Sequence, residues 1–472
     1  MNSSNPELVI LNGTIVTANE TFKGDVAVKD GRISMIAESL QDLADSLSNV
    51  EGVDIIDAQG KYVLPAAIDC HTHLEMEFGG TVSSDDYTSG SRAAICGGVA
   101  SYIDFVIQRK GESLKDALQR RQVLASAKSC CDYGFHIAIT DLNESILEEM
   151  EEVVKLGVNS FKVFMVYSFA IDDEIFAKIL NRAKAIGARV SVHAENLGLL
   201  NMLTEKYIAE GHGNDPYYHY LSRPEFCESE AVARAVHFAK SFDAPLYIVH
   251  LACKDGVEEI IKAHEQGFTQ IVAETCPQYL AFTSDVYKRP DARNFVCSPP
   301  MKGQESQDAL WAAINSGQIS TVATDHCPFL STEKDWGKDD FRKIPNGMMG
   351  IENMYPFMLS SALQGRITLN KAVAVCSTNV ARLFGCSTKG SISVGKDADI
   401  VIYNPDTKFT ITHDKMHDCC DHSIWEGMEL QGYPEMTFVR GKLCFENGKF
   451  KGEAGYGKYL VREPLQSVAF QP

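Results

Sequence analysis

The stretch "NSFKVFMVYSFAIDDEIFAKILNRAKAIGARVSVHAEN", residues 159–196, reads as strand, helix, strand. "SFKVFM" is a short run of apolar, β-branched and aromatic residues, the composition of a buried strand. "DDEIFAKILNRAKAIG" follows with apolar residues at spacings of three and four, which predicts an amphipathic helix. "VSVHAE" is a second buried strand. A strand, a crossover helix and another strand make a parallel βαβ unit.

The same alternation extends outward in both directions. "SLKDALQRRQVLASAKS", "ESEAVARAVHFAKSF" and "GVEEIIKAHEQG" repeat the helical spacing. Eight candidate strands follow one another: "VLPAAIDCH", "VASYIDF", "FHIAIT", "SFKVFM", "VSVHAE", "LYIVHLA", "QIVAETC" and "ISTVATDH". Eight βα units over residues 62–385 fit a (β/α)8 barrel with insertions. A doubly wound open sheet is the alternative, but it would carry a Gly-rich phosphate turn after its first strand, and none is visible. The two ends differ from the middle. "LVILNGTIVT", "GDVAVKDGRISMIA", "GKDADIVIYNP" and "EMTFVRGKLCFENGKF" are short alternating strands joined by Asn-Gly and Asp-Gly turns. Neither end has enough strands for a stable sheet. Residues 1–61 and 386–460 are therefore expected to form one β-sandwich domain, with 461–472 as a tail. "STEKDWGKDDFRKIPNGMMG", 331–350, is polar and charged and reads as a long loop where a lid would be.

The chain has 472 residues and a formal charge of −19, from 63 acidic and 44 basic side chains. That balance argues against nucleic acid and anionic membranes as partners. No run of ~18 apolar residues is present to span a bilayer, and "MNSSNPELVILNGTIV" lacks the pattern of a signal peptide. The fourteen cysteines are scattered, with no C-x-x-C, and read as reduced core thiols of a cytoplasmic protein.

Five of the eight strands carry a ligand-type residue at or near the C-terminal end, the end that converges on one mouth of a barrel. These are His71 and His73, Lys162, His193, His250 and Asp325. His71 and His73 are two apart on a strand and face the same way, which suits one metal ion. His193 and His250 suit a second, and Asp325 suits a ligand that also handles a proton. Imidazole and carboxylate without thiolate point to Zn, with Mn, Fe or Co as alternatives. Two such ions about 3.5–4 Å apart need a bridging anion. A buried lysine has a lowered amine pKa and can add CO2 to give a carbamate, a bidentate anion. The residues alone leave a second reading of Lys162, an ammonium snorkelling to the barrel mouth. His136 reads as structural, and His326 and Cys327 as neighbours of Asp325. His212, His219, His237, His264, His413, His417 and His422 read as surface or loop positions.

Together "IDCHTH", "FKVFMVY", "VSVHAEN", "YIVHL", "ETCPQYL", "SPPM", "VATDHCPF" and "IPNG" resemble the dihydropyrimidinase/hydantoinase branch of the cyclic amidohydrolases, over nearly the whole chain. Pro65-Ala66-Ala67 departs from the family's Pro-Gly-Gly and requires a backbone with φ < 0 there. The resemblance implies two zinc ions, one held by His71, His73, Lys162 and Asp325, the other by carboxylated Lys162, His193 and His250, with a bridging hydroxide. It implies Asp325 as general base and Tyr167 as oxyanion donor. It implies Ser298 and Asn346 as readers of the substrate's imide edge through their backbone groups. "LEMEFGG" at 74–80, with Phe164 and Phe169, is expected to form the pocket for the exocyclic group. The implied substrates are 5,6-dihydropyrimidines or 5-substituted hydantoins, opened to N-carbamoyl amino acids by a homotetramer. The rivals are allantoinase or dihydroorotase, a mononuclear deaminase, which needs no Lys162, and a non-catalytic scaffold, which would have lost ligands. A dihydroorotase should also offer an arginine near the first motif, and "HTHLEME" has none.

Overall fold

The computed structural model describes residues 5–465. Its centre is an eight-stranded parallel sheet. In chain order the strands are β1 (Ala67–Thr72), β2 (Val99–Ile107), β3 (Asp132–Ala138), β4 (Ser160–Phe164), β5 (Arg189–His193), β6 (Leu246–Ile248), β7 (Ile271–Thr275) and β8 (Thr321–Val322). Each pairs with its neighbour in sequence. The ring closes from β8 to β1 through the parallel bridge Thr72–His326 and the bond from His73 N to His326 O at 2.9 Å. Asp69 fastens the same seam: its carboxylate accepts from Thr324 N at 3.1 Å and Thr324 Oγ1 at 2.5 Å. This is the (β/α)8 barrel expected from the sequence. β6 and β8 are short, so His250 and Asp325 stand just beyond their strands. At 66 and 67, alanines adopt negative φ without difficulty and are buried.

The βαβ unit at 159–196 illustrates the local logic. Phe161 and Val163 of β4 join the core that holds Phe176, Ile179, Leu180 and Ala183 of the helix Asp173–Ala185. Period-two alternation then turns Lys162 and Phe164 toward the barrel interior. Asp172 caps the helix by accepting from Ile175 N at 2.8 Å, a contact worth ~1 kcal/mol. Gly187, at φ 68, ends the segment in a conformation that a β-carbon would strain.

A second sheet has nine strands and takes them from both ends of the chain. Leu8–Val16 pairs with Thr21–Lys29, and Ile400–Thr410 pairs antiparallel with Tyr62–Pro65 in the register Ile402↔Val63. Leu8, Ile10, Val26, Val63, Ile400, Ile402 and Phe438 share one core. Lys389 bolts this sheet to the barrel: it is buried among Asp132 of β3, Asp397 and Asp399, at 2.5, 3.1 and 2.6 Å. Arg440 adds a further pair to Asp132.

Two local expectations change. Residues 331–350 are not a free lid. They form the short helix Ser331–Lys334 and two 3-10 turns, and Lys334, Phe341 and Ile344 are buried. The charges of that stretch disguised its buried anchors. His219 is not a surface residue: it is buried and its Nε2 donates to Cys297 O at 2.8 Å. The fourteen cysteines are all free, and Cys419 is the exposed one. No helix is long and apolar enough to cross a membrane among the described residues.

Candidate active site

All nine residues singled out from the sequence, His71, His73, Lys162, Tyr167, His193, His250, Ser298, Asp325 and Asn346, line one cavity of about 50 Å³ at the C-terminal mouth of the barrel. His71 Nε2 and His73 Nε2 converge on the same oxygen of Asp325, at 3.1 and 2.9 Å. Ligand-type atoms of these three residues lie within 4.8 Å of one another. Across the cavity, His193 Nδ1 and His250 Nε2 face each other at 3.0 Å.

Outer partners fix these orientations. His71 Nδ1 donates to Glu274 Oε1 of β7 at 2.7 Å, which turns Nε2 inward. His193 Nε2 donates to Glu195 at 2.7 Å, which turns Nδ1 inward, and Arg223 holds the same carboxylate oxygen at 2.8 Å. Such outer bonds set the tautomer of ligating imidazoles. Glu274 also accepts from His250 N at 2.9 Å and Tyr247 OH at 2.9 Å. Glu274, Glu195 and Arg223 escaped the sequence reading. For Glu274 and Glu195 the available signal was the one that exposed Lys162, an ionisable residue inside or just after a buried strand; Arg223 stands in a turn between two helices and offered none.

The electrostatics favour a cation. Burial holds His73, His193 and His250 below the usual imidazole value, so they are neutral near pH 7 with lone pairs free. Burial opposes charge on His71 as well, but Glu274 and Asp325 outweigh it and push His71 up to about 9. Asp325, despite burial, is kept well below the carboxylate range by His71 and His73. Inward-facing acceptors repel one another unless positive charge lies between them. On the far side of the rings, Nδ1 of both His73 and His250 is buried with no protein partner, so Nε2 is the nitrogen each turns to the cavity. Three neutral imidazoles and a carboxylate, with His71 as a fourth nitrogen donor once its proton is displaced, fit a divalent cation, which prefers neutral nitrogen and anionic oxygen donors.

Lys162 lies 1% exposed on β4, its Nζ 5.0 Å from the Phe105 ring centre and 5.2 Å from that of Phe164. Among the described residues its amine makes no hydrogen bond, and burial, against the pull of Asp325 and Glu274, lowers its pKa to about 7. A near-neutral amine between aromatic rings, beside four imidazoles and a carboxylate, is nucleophilic. Tyr167 sits beyond β4, and burial keeps its hydroxyl protonated far above the usual range. Tyr167, His250 and Asp325 adopt left-handed backbone, φ 73, 39 and 53. Non-glycine residues held so cluster at functional sites.

Phe78, Phe164 and Phe169 surround Tyr167 with ring centres 5.4, 6.1 and 5.6 Å away. Phe78 belongs to the hairpin Glu77–Phe78 and Thr81–Val82, turned by Gly79 and Gly80 at φ 62 and 88. Met76 and Phe78 of "LEMEFGG" reach the cavity, whereas Leu74 packs beneath, fully buried. Asn346 Oδ1 is buried at the cavity without a partner, and the Ser298 hydroxyl lies beside that of Tyr167.

A barrel with clustered imidazoles at its mouth and a flanking sheet defines a class. Residues 62–444 match the Amidohydrolase family, and the chain belongs to it. Relatives narrow the placement. D-hydantoinase of Geobacillus stearothermophilus is 40% identical over 462 residues, 96% of each chain. D-phenylhydantoinase of Escherichia coli (strain SE11) is 37% identical over 465 residues, 97% of this chain and 98% of that one. The crystal structure of dihydropyrimidinase from Brevibacillus agri NCHU1002 superposes with a TM-score of 0.93 at 42% identity, over 97% of this chain and 99% of that one. The chain thus stands in the hydantoinase and dihydropyrimidinase branch, among cyclic amidohydrolases.

Proposed function

We propose that this enzyme opens the ring of a 5,6-dihydropyrimidine or a 5-substituted hydantoin by hydrolysis, giving an N-carbamoyl amino acid. The observation that carries the reading is the convergence of four imidazoles and Asp325 around Lys162, in a chain 40% identical to a D-hydantoinase. His71, His73 and Asp325 would hold one divalent cation, zinc by preference. His193 and His250 would hold a second, with Lys162, carboxylated by CO2, between the two. Lewis-acid polarisation of the scissile carbonyl and an acidified attacking water are what such cations supply when bound.

The chain's own groups do the rest. Asp325 takes the proton of the attacking water and delivers it to the ring nitrogen as the C–N bond breaks, so one proton moves and none is lost. Tyr167 donates its hydroxyl hydrogen to the oxygen on which charge develops, and its raised pKa keeps that hydrogen in place. Backbone groups of Ser298 and Asn346 read the –CO–NH–CO– edge, which both ring classes share. The aromatic wall of Phe78, Phe164 and Phe169 takes the exocyclic substituent. The working molecule is a cytoplasmic homotetramer in this reading. The experiment is turnover of dihydrouracil beside phenylhydantoin. Opening of either ring supports the proposal, and opening of allantoin alone overturns it.

A further inference from the structure

Lys334 ends the short helix Ser331–Lys334 and is 0% exposed. Its ammonium donates to three backbone carbonyls: Val296 at 3.1 Å, Pro345 at 2.8 Å and Gly347 at 2.6 Å. No carboxylate forms an ion pair with it among the described residues. A buried ammonium is tolerated only when its donors are used, and here three donors meet three acceptors. The acceptors are not scattered. Val296 lies two residues before Ser298, and Pro345 and Gly347 flank Asn346. These are the two segments assigned above to the imide edge. Gly347 N also donates to Val296 O at 3.0 Å, so the segments touch directly as well. A β-carbon at Gly347, φ 143, would lie 2.3 Å from Cys327 O, so the segment packs its backbone directly against that of Cys327.

Peptide planarity gives the tie its consequence. In a trans peptide the N–H points opposite the preceding carbonyl. With the Pro345 carbonyl drawn to Lys334, the Asn346 N–H is turned the other way. Among the described residues that N–H takes no protein acceptor. Asn346 Oδ1 is likewise buried without a partner, beside the same cavity.

We propose that Lys334 is a positioning residue that ties the Val296–Ser298 and Pro345–Gly347 segments from behind, so that their polar groups face the imide edge of the substrate. The inference rests on the ring-opening reading. It makes Lys334 a determinant of substrate affinity from behind the cavity, with no contact to substrate or metal ligands. Imide-edge contacts persist from bound substrate to transition state, so weakening them raises KM and leaves kcat nearly unchanged.

The test compares Lys334→Met and Lys334→Gln with the unaltered protein, on dihydrouracil and phenylhydantoin. Glutamine retains two N–H donors without the charge, and methionine retains only the volume. Methionine is expected to raise KM at least tenfold on whichever ring is opened. Metal content should be unchanged and kcat should stay within about threefold. Glutamine should lie between methionine and lysine. Should the methionine variant fail to fold, the glutamine variant carries the same comparison. A lowered thermal midpoint with KM within twofold would reduce Lys334 to a stability residue and overturn the proposal. So would a fall in kcat or in metal content at unchanged KM. If the unaltered protein opens neither ring, the functional reading itself fails, and the role of Lys334 falls with it.

Discussion

Lys162 is where the chemistry is most concentrated at the scale of one residue. Burial lowers its amine to about 7, so the neutral, CO2-reactive form grows as pH rises through that value. Reconstitution of metal-stripped protein with divalent ion and bicarbonate should accordingly be poor near pH 6 and strong near pH 8, read as recovered activity. Lys162→Ala should lose bound metal and activity together, with partial rescue by a short carboxylic acid that supplies the missing anion. Metal analysis of that variant decides the matter, because unchanged metal content would exclude Lys162 as a ligand. Tyr167 acts at the same scale but on a different quantity. Tyr167→Phe should lower kcat by roughly a hundredfold, about 3 kcal/mol, by removing one oxyanion donor. Its metal content should not change.

At the scale of elements, the strands decide what a sequence can disclose. His71, Lys162 and His193 were legible because they stand in recognisable strands whose ends converge, and His73 because it follows β1 by one residue. His250 and Asp325 were legible too, although β6 and β8 stop short of them. Glu274 was not, because its value depends on register: Ile248 lies opposite Ala273, which sets Glu274 beside the His250 amide. The left-handed backbone at Tyr167, His250 and Asp325 left no trace, since none of the three is glycine and no turn motif marks them. Lys334 lies in a charged stretch that reads as a long loop, because three carbonyl acceptors have no sequence signature. Glu274 gives the test at this scale. Glu274→Gln keeps the shape but weakens the bond that orients His71, and it should cost about 10–100-fold in metal affinity. Competition against a chelator measures it, and an unchanged affinity would remove Glu274 from the account.

For the whole molecule, the question is how a sheet built from both chain ends supports a barrel inserted between them. The alternating strands and their turns foretold that the ends would meet. They did not foretell the bolt, because Asp132 of β3 stands far along the chain from Lys389, Asp397 and Asp399 and meets them only in the fold. Removing a partner from a buried ion cluster leaves uncompensated charge. Lys389→Met should therefore destabilise the protein by about 3–5 kcal/mol, read by denaturant unfolding. Burial opposes the charge on Lys389, but Asp399 and Asp397 raise its pKa. The contribution is thus fully present below the ordinary lysine value and is lost as pH rises through the elevated one. Ring-opening activity of the folded variant at low temperature should persist, since the bolt lies far from the mouth.

The most direct measurement is a crystal structure of fully metal-loaded, active protein. A planar carbon dioxide adduct on Lys162 Nζ, with one oxygen toward each of two cations, is the predicted result. Two bound cations beside a bare, unmodified amine would contradict it.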